Sequence, residues 1–277
     1  MAEQRFADRV AVNHDAAHGV AEVRLCRADK MNALDTAMFD GLLLAGKHLS
    51  RLPDLRAVVL HGEGRAFCAG LDMGSLDAMA QGQGAGEGLT DLVSRTHGAA
   101  NRAQQVAWQW HTLAVPVVAA VHGVAFGGGL QLALGADIRY TAPDARLSVL
   151  EMQWGLVPDM AGMALLRNLL RDDVARELIY SARVLGGDEA CRLGLATAVH
   201  DDPLARAREF AHAVARRNPD AVRAAKRLLN QSRDEGAEVM LLAESLEQQA
   251  LIGSPNQLEA IRAGMGKRQP VFQPAPN

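Results

Sequence analysis

Short apolar runs alternate with stretches of helical periodicity over the first 140 residues. Three early runs have the length and β-branched content of strands, at residues 9–14, 19–26 and 55–62. Between the last two, residues 35–49 carry apolar side chains at helical spacing, and Asp35 stands where a helix N-cap is expected. The order then repeats as a short helix, a strand, a helix and a strand, at 108–114, 115–123, 130–136 and 137–142. This alternation predicts an α/β architecture with a largely parallel, buried sheet.

From about residue 160 the pattern changes to one amphipathic helix after another. Six segments show this periodicity, at 161–170, 172–182, 187–196, 202–217, 219–230 and 238–253. A tail of helices beyond an α/β body is a typical surface for packing against other subunits. Residues 79–88 (MAQGQGAGEG) have too many glycines for a helix, so we interpret them as a loop, either an active-site lid or a solvated connector.

Composition narrows the class of protein. The chain has 277 residues, of which 49% are hydrophobic and 22% charged, as in ordinary soluble domains. The net charge of −3 and the scattered basic residues argue against nucleic acid as a partner. No apolar run approaches the ~18 residues of a membrane span, and the N-terminus lacks a secretory core, so we expect a cytoplasmic protein without membrane contact.

Metal and disulfide chemistry find no support in the spacing of potential ligands. Cys26, Cys68 and Cys191 are odd in number and far apart, which suits reduced thiols. No H-E-x-x-H or paired C-x-x-C motif occurs, so we infer no metal. Cys68 is expected to be a small buried residue, since no histidine or acid stands at a partner spacing.

Two glycine-containing loops follow predicted strands. Residues 126–134 (FGGGLQLAL) place three glycines before a helix, and residues 61–73 (HGEGRAFCAGLDM) turn at Gly70. Glycine lets backbone N–H groups approach a substrate oxygen, and a helix N-terminus adds the positive end of its dipole. The two loops together predict a pair of N–H donors for a developing oxyanion.

The same loops carry a resemblance to a known family. The segments AFCAGLD, VHGVAFGGGLQLALGADIRY and LSVLEMQWGLVPDMAG, with ADKMNALD and GKRQPVF near the two ends, resemble the crotonase superfamily of enoyl-CoA hydratases and isomerases. The resemblance extends over essentially the whole chain. It implies a spiral of ββα units, which we place at 1–200 with the acyl-CoA site, and a helical C-terminal region at 201–277 that builds homotrimers or dimers of trimers.

The resemblance also implies the substrate and several site residues. The substrate would be an acyl thioester of coenzyme A, with no permanently bound cofactor. By motif position, the N–H groups of Leu71 and Gly128 would hold the thioester oxygen. The backbone at Ala69 would meet the adenine of coenzyme A, and Lys267 and Phe272 would reach coenzyme A from the C-terminal region.

Gln131 departs from the hydratase pattern. Hydratases of this superfamily use two glutamates, and their positions correspond here to Gln131 and Glu151. An amide orients water but does not exchange a proton at ordinary pH. In the dienoyl-CoA isomerases, an aspartate matching Asp159 works with the glutamate matching Glu151. We therefore favour an isomerase in which Glu151 and Asp159 act as base and acid, in an order that the sequence does not assign.

Three alternatives remain open at this stage. One is a hydratase with Glu151 as the sole proton-transfer group and Gln131 orienting the water. Another is a non-catalytic acyl-CoA-binding subunit, although such a subunit needs none of the retained site residues. A structural role also exists for Asp159, which could cap the helix that follows it. The apolar surroundings of Glu151 predict a buried carboxyl with a raised pKa, as suits a base.

Overall fold

The computed structural model describes residues 3–82 and 91–275. Within these ranges the chain forms ten strands: β1 (Gln4–Phe6), β2 (Val10–Asp15), β3 (Val20–Leu25), β4 (Ala57–Gly62), β5 (Val117–Val121), β6 (Val124–Phe126), β7 (Ile138–Thr141), β8 (Arg146–Ser148), β9 (Leu185–Gly186) and β10 (Ala198–Val199). The five strands that the sequence predicts between residues 9 and 142 are all present, as β2, β3, β4, β5 and β7.

Eleven α-helices occur in the same described ranges: α1 (Thr36–Leu49), α2 (Met73–Ala80), α3 (Arg102–Thr112), α4 (Gly128–Leu134), α5 (Gly162–Leu166), α6 (Asp172–Ser181), α7 (Gly187–Leu193), α8 (Pro203–Ala215), α9 (Pro219–Gln231), α10 (Ala237–Leu251) and α11 (Pro255–Met265). Short 3-10 helices span Ala28–Lys30 and Glu151–Trp154. None of these helices is long and apolar enough to cross a membrane.

The main sheet has seven strands in the order β1-β2-β3-β4-β5-β7-β10. The pairs β1/β2 and β2/β3 are antiparallel, and every pair from β3 onwards is parallel. Parallel strands need crossover connections, which α1 and α3 supply. The predicted α/β architecture is therefore confirmed, and the carboxyl ends of β4 and β5 meet at one edge of the sheet.

A second, small sheet has the order β6-β8-β9. Its strands are two or three residues long and were not distinguished in the sequence, because so short a run carries no usable periodicity. An isolated parallel bridge between Cys68 and Ala125 attaches the loop after β4 to this sheet. The two glycine loops of the sequence are thus joined through backbone pairing.

Two apolar layers cover the main sheet. On one face, the sheet packs with α1, α3 and α4 around fully buried side chains that include Phe39, Phe67 and Trp110. On the other face, Val59, Val118 and Tyr140 pack against alanines of α8. Helix α8 lies in the region predicted to be a separate C-terminal unit, yet its contacts join it to the body. The division at residue 200 stays a prediction.

Several helix boundaries differ from the expected ones for identifiable reasons. Helix α3 begins six residues before the predicted start, because Asn101 and Gln104 form a reciprocal capping box at its N-terminus. Asp35 caps α1 as predicted, its side chain accepting from the N–H of Met38. Helix α2 and helix α11 were not predicted. Of the proposed lid, residues 79 and 80 end α2, and residues 83–88 lie outside the described residues.

Arg139 on β7 holds the core together through backbone carbonyls. Its buried guanidinium donates to the carbonyl of Leu195 at 2.8 Å, to that of Leu134 at the end of α4, and to that of Ala136 just beyond it. Burial lowers the pKa of Arg139 to about 10, so the side chain stays cationic at neutral pH. A cation at a helix C-terminus also interacts favourably with the helix dipole.

Replacing Arg139 by lysine should destabilise the protein although the charge is kept. Lysine has no planar fork to reach several carbonyls at once, so buried carbonyls lose their donors. We expect the free energy of unfolding to fall by about 1–3 kcal/mol in urea titrations. The exposed Arg192→Lys is the control, with an expected change within about 0.5 kcal/mol. Equal effects of the two substitutions would contradict this role.

Candidate active site

The two glycine loops lie side by side where β4 and β6 end. The N–H of Cys68 donates to the carbonyl of Val124, and the N–H of Phe126 donates to the carbonyl of Cys68. A Cβ at Gly70 would lie 2.5 Å from the carbonyl oxygen of Phe126 and 3.7 Å from the nitrogen of Gly128. The structure therefore brings together the two glycine-containing loops that were identified in the sequence.

Backbone pairing fixes the direction of the Leu71 N–H. Leu34 donates to the carbonyl of Gly70 and accepts from the N–H of Asp72, at 2.7 and 3.1 Å. Since successive residues of an extended chain point their N–H groups to opposite sides, the N–H of Leu71 points away from Leu34. That side is the one on which residues 124–128 lie. Gly70, with φ of +89°, supplies the reversal that this path requires.

The three consecutive glycines are required by close contacts. Gly127, the N-cap of α4, has φ of +50°, and a Cβ there would lie 3.3 Å from Oε1 of Glu151. A Cβ at Gly129 would lie 2.3 Å from the carbonyl oxygen of Cys68. Gly128 is the first residue of α4, where N–H groups have no partner within the helix. Its N–H and that of Leu71 therefore belong to adjacent loops; that they hold an oxyanion stays a prediction.

Asn32 anchors the loop that precedes the donors, and the sequence analysis assigned it no role. Its buried amide donates to the carbonyls of Glu63, Ala66 and Phe67, and its Oδ1 accepts from the N–H of Arg27. The residue has φ of +55°, a conformation that asparagine tolerates better than most residues. The sequence feature that could have indicated this role is a polar asparagine within the otherwise apolar segment MNAL.

Gln131 lies buried in the first turn of α4, facing Glu151. Its Nε2 donates to Oε1 of Glu151 at 2.6 Å. Its Oε1 accepts from the N–H groups of Met160 and Gly162, at 2.8 and 2.9 Å. Gln131 therefore belongs to the site, but its carbonyl oxygen is already bonded to the protein.

Glu151 opens the 3-10 helix and is buried, at 9% exposure, as its apolar flanks predicted. Its Oε2 is buried and forms no hydrogen bond in the described structure. Desolvation raises the pKa of Glu151, and repulsion from Asp159 adds to this, whereas the bond from Gln131 lowers it. The predicted rise in pKa is thus present, and its main cause is burial. A carboxyl of this kind is suited to proton transfer near neutral pH.

Asp159 is the residue directly before Met160 in the chain. Met160 packs against the donor loop, since a Cβ at Gly128 would lie 2.8 Å from Met160 Sδ. Partial desolvation raises the pKa of Asp159, although part of its surface is exposed. Ala161 is the N-cap of α5, and no side chain caps that helix. The alternative role of Asp159 as a helix cap is therefore wrong.

The residues assigned to coenzyme A do not all lie at the same end of the parallel strands. Ala69 precedes the donor Leu71, and its N–H donates to the carbonyl of Met31 at 2.9 Å. Phe272 accepts through its carbonyl from Arg56 at 3.0 Å, and Arg56 comes just before β4. Phe272 thus lies by the amino ends of the parallel strands, whereas the donor loops follow the carboxyl ends. Lys267 is exposed just after α11. The structure does not bring Phe272 to the donor loops of its own chain.

Cys68 is a buried structural residue. Burial raises the pKa of its thiol to about 12, and its Sγ donates to the carbonyl of Asn32. Over residues 3–82 and 91–275, no three His, Cys, Asp or Glu side chains are grouped as a metal site. The groups considered for chemistry at this site are the carboxyls of Glu151 and Asp159, the amide of Gln131 and the N–H groups of Leu71 and Gly128.

This fold is that of the crotonase superfamily. The sequence profile of the enoyl-CoA hydratase/isomerase family matches residues 15–274. The structure of an enoyl-CoA hydratase from Bacillus anthracis superposes with a TM-score of 0.85 at 27% identity, covering 96% of this chain and all of that one. The chain belongs to the enoyl-CoA hydratase/isomerase family, and the family's substrates are acyl-CoA thioesters.

Relatives of both activities match most of the chain. A Mycobacterium tuberculosis protein named as a probable enoyl-CoA hydratase is 34% identical over 94% of this chain and 98% of its own length. A mitochondrial Delta(3,5)-Delta(2,4)-dienoyl-CoA isomerase of Dictyostelium discoideum is 26% identical over 92% of this chain and 87% of its own length. The chain is therefore an enzyme of the hydratase or isomerase type, and the choice between them depends on the site.

Replacing Glu151 by glutamine should stabilise the protein at high pH. Because burial raises the pKa of Glu151 in the folded state, the unfolded chain ionises first as the pH rises, and wild-type stability falls. Glutamine removes this loss, and each unit of pKa elevation corresponds to about 1.4 kcal/mol. Urea unfolding from pH 4 to 9 should show the advantage of E151Q growing above the usual glutamate pKa.

The control for this prediction is Glu235→Gln, at an exposed position before α10. We expect its unfolding free energy to follow the wild type across the whole pH range. A pH-independent difference between E151Q and the wild type would show that Glu151 is not held in an unfavourable ionised state.

Proposed function

We propose that the protein isomerises the double bond of an enoyl-CoA, with Glu151 and Asp159 carrying the proton. The observation that supports this most directly is the bonding of Gln131. Its Oε1 already accepts from two backbone N–H groups, and its Nε2 donates to Glu151. Hydration by a pair of acid groups needs a second proton carrier beside Glu151, and a bonded amide does not serve as one.

The site offers two carboxyls with raised pKa values, Glu151 beside Gly127 and Asp159 one residue before Met160. Desolvation is the main cause for each, although Asp159 is exposed at the surface, and repulsion from Asp159 makes a smaller contribution to the raised pKa of Glu151. Such repulsion favours a state in which one carboxyl is protonated while the other is ionised. That state is the one needed to remove a proton at one carbon and to deliver a proton at another.

The proposed reaction moves one proton and one double bond. One carboxylate removes the C2 proton of a 3-enoyl thioester, and the electrons shift to the thioester oxygen as an enolate. The N–H groups of Leu71 and Gly128 stabilise this oxyanion, a contribution of about 3 kcal/mol for each donor. As the enolate collapses to the 2-enoyl product, the other carboxyl delivers a proton to C4. In a 3,5-dienoyl substrate the proton goes to C6 instead.

Hydration of a 2-enoyl-CoA is the second candidate, favoured by a different detail. Oε2 of Glu151 is buried without a hydrogen bond, and the second Nε2 hydrogen of Gln131 is available. A water between these atoms would be oriented by Gln131 and deprotonated by Glu151. Glu151 would then also return the proton, since Gln131 does not.

Coenzyme A would enter as part of the substrate, with its adenine at the backbone of Ala69. In one chain, Phe272 is bonded to Arg56 at the opposite end of β4 from the donor loops. Lys267 and Phe272 would therefore contact coenzyme A at the site of a neighbouring copy. This assignment needs an oligomer.

We further propose that the C-terminal helices form a homotrimer, alone or as a dimer of trimers. Large apolar side chains on α9, α10 and α11 are exposed in the single chain, at Leu229, Leu241, Leu242, Leu246, Ile261 and Met265. An apolar surface of this extent on several adjacent helices marks an interaction surface. Other copies of the chain would cover it.

Removing either carboxyl should stop isomerisation while leaving the fold intact. Loss of a positioned acid or base lowers kcat by about 10² to 10⁴. We expect this for both Glu151→Gln and Asp159→Asn, measured with 3-enoyl- and 3,5-dienoyl-CoA by thioester absorbance and product mass. The exposed Asp188→Asn on α7 is the control and should retain full activity.

The same assay separates the candidates. Dominant addition of one water to crotonyl-CoA, lost in E151Q but kept in D159N, would favour the hydratase over the isomerase. Tight binding of acyl-CoA without any turnover by the wild type would instead indicate a binding subunit and would contradict both reactions.

A charge on the exposed face of α10 should disrupt the oligomer. Leu242 is 62% exposed in the single chain, and burying a glutamate there between subunits would be unfavourable. We expect Leu242→Glu to reduce the mass found by light scattering from that of three or six chains to one. Leu44→Glu, at a 47% exposed leucine on α1 outside these helices, should keep the wild-type mass. A monomeric wild type would contradict the proposal.

A further inference from the structure

The side-chain amide of Gln131 is bonded to two different parts of the site. Its carbonyl oxygen accepts from Met160 and Gly162, which fixes the orientation of the amide, because two backbone N–H groups require an acceptor there. The amide nitrogen therefore faces Glu151, at 2.6 Å from Oε1. Three of the four hydrogen-bonding positions of this side chain are occupied within the protein.

We propose that Gln131 is a positioning residue that holds both carboxyls of the site in one arrangement, so that Oε2 of Glu151 is the atom that exchanges the proton. This inference rests on the proposed function in assigning Asp159 to the reaction. It differs from the water-orienting role that the hydratase alternative assigns to Gln131, because the partners of the amide are protein atoms.

The contacts of Glu151 distinguish its two oxygens. Oε1 is occupied by the donor Gln131, whereas Oε2 is buried without a hydrogen bond. Both oxygens lie beside Gly127, at 3.3 and 3.9 Å from the position of a Cβ there. Gly128, the proposed oxyanion donor, is the next residue. An oxygen that is bonded to Gln131 is less basic, so Oε2 is the better proton acceptor.

Gln131 holds Asp159 indirectly, through the backbone of the residues that follow Asp159. Asp159 belongs to a segment whose neighbours Trp154, Leu156 and Val157 are largely exposed and contribute little burial to hold it. Directly after Asp159, the N–H of Met160 is bonded to Gln131, and so is that of Gly162. A Cβ at residue 162 would lie 2.6 Å from Oε1 of Gln131, so glycine permits this approach. The amide thus fixes the chain that carries Asp159 relative to Glu151.

Glutamine suits this positioning role better than glutamate, because a glutamate at position 131 would add a second titratable carboxyl beside Glu151. A glutamate at position 131 would place an oxygen near Oε1 of Glu151, and the pair would have to share a proton. Glutamine keeps the same shape and donates at every pH. The site therefore retains one buried acid on this side, and Asp159 is the other group that titrates with it.

Asp159 is the titratable side chain, within the described part of the chain, whose charge raises the pKa of Glu151. Helix α6 packs against the 3-10 helix that carries Glu151, and its charged side chains are paired at the surface. Those pairs are Asp172 with Arg176, Asp173 with Arg171, and Glu177 with Arg183.

A comparison of stability at two pH values tests the bond to Glu151 without any substrate. Gln131→Met keeps the volume but removes the donor, so the ionised form of Glu151 loses its partner. The drop in melting temperature caused by Q131M should be larger at pH 8 than at pH 4, and this pH dependence should vanish in the E151Q background. A glutamine that merely fills space would give the same drop at both pH values.

Gln109 provides the matched control. It is a buried glutamine on α3 whose amide donates to the carbonyls of Leu42 and Val106. Gln109→Met should lower the melting temperature by similar amounts at pH 4 and pH 8. It should leave the pH profile of turnover unchanged.

Turnover tests the positioning of the carboxyls. In Q131M, kcat at pH 7 should fall by about 10²-fold, as expected for a displaced catalytic group, with little change in KM. The isosteric Gln131→Glu should move the acidic limb of the kcat profile to higher pH, because the glutamate pair retains a proton. Both variants are measured on whichever reaction of the wild type depends on Glu151.

The outcomes separate the inference from the proposed function. An unaltered acidic limb in Q131E, or a pH-independent stability loss in Q131M, would overturn the positioning role, whatever reaction the enzyme catalyses. If the wild type hydrates crotonyl-CoA and D159N remains active, the isomerase proposal fails. The link from Gln131 to Asp159 then fails with it, whereas the selection of Oε2 is still tested by the stability measurements.

Discussion

The hydrogen bond between Gln131 and Glu151 connects the parts of the chain that form the site. Gln131 belongs to the first turn of α4, and Glu151 to the 3-10 helix after β8. The opposite end of the same amide reaches Met160 and Gly162. A buried side-chain bond of this kind depends on every partner being in place, because an unmatched polar group is costly in an apolar interior. The arrangement of the site is therefore determined as a unit.

The backbone around this bond carries the two proposed oxyanion donors. The parallel pairing of β4 and β5 places their following loops at one edge, and the bridge between Cys68 and Ala125 joins the first loop to the small sheet. Asn32 holds the first loop through three carbonyls. These contacts position the backbone N–H groups of Leu71 and Gly128, with the Asn32 side chain as an anchor of the first loop. Rigid donors of this kind need no reorganisation when charge develops on a bound oxygen.

The C-terminal helices divide into two kinds by their contacts. Helix α8 covers one face of the main sheet, and Lys226 of α9 is buried, donating to two carbonyls and to Asp137. Helix α10, in contrast, has no buried residue in the single chain and exposes Leu241, Leu242 and Leu246. The first kind completes the body of the enzyme. The second kind is the surface that self-association would cover.

The sequence alone determined the α/β architecture, the two glycine loops, and Gln131, Glu151 and Asp159 as the residues to consider. The architecture and the loops follow from periodicity and from the restricted uses of glycine, which are local, whereas the three site residues follow from the resemblance to the crotonase superfamily. The sequence did not determine the strands of two or three residues, the start of α3, or the anchoring role of Asn32, because those depend on partners distant in the chain. Nor could it assign the bonds of Gln131. An amide has two donors and one acceptor atom, and only the tertiary structure decides which groups occupy them, because Met160, Gly162 and Glu151 reach Gln131 only through folding.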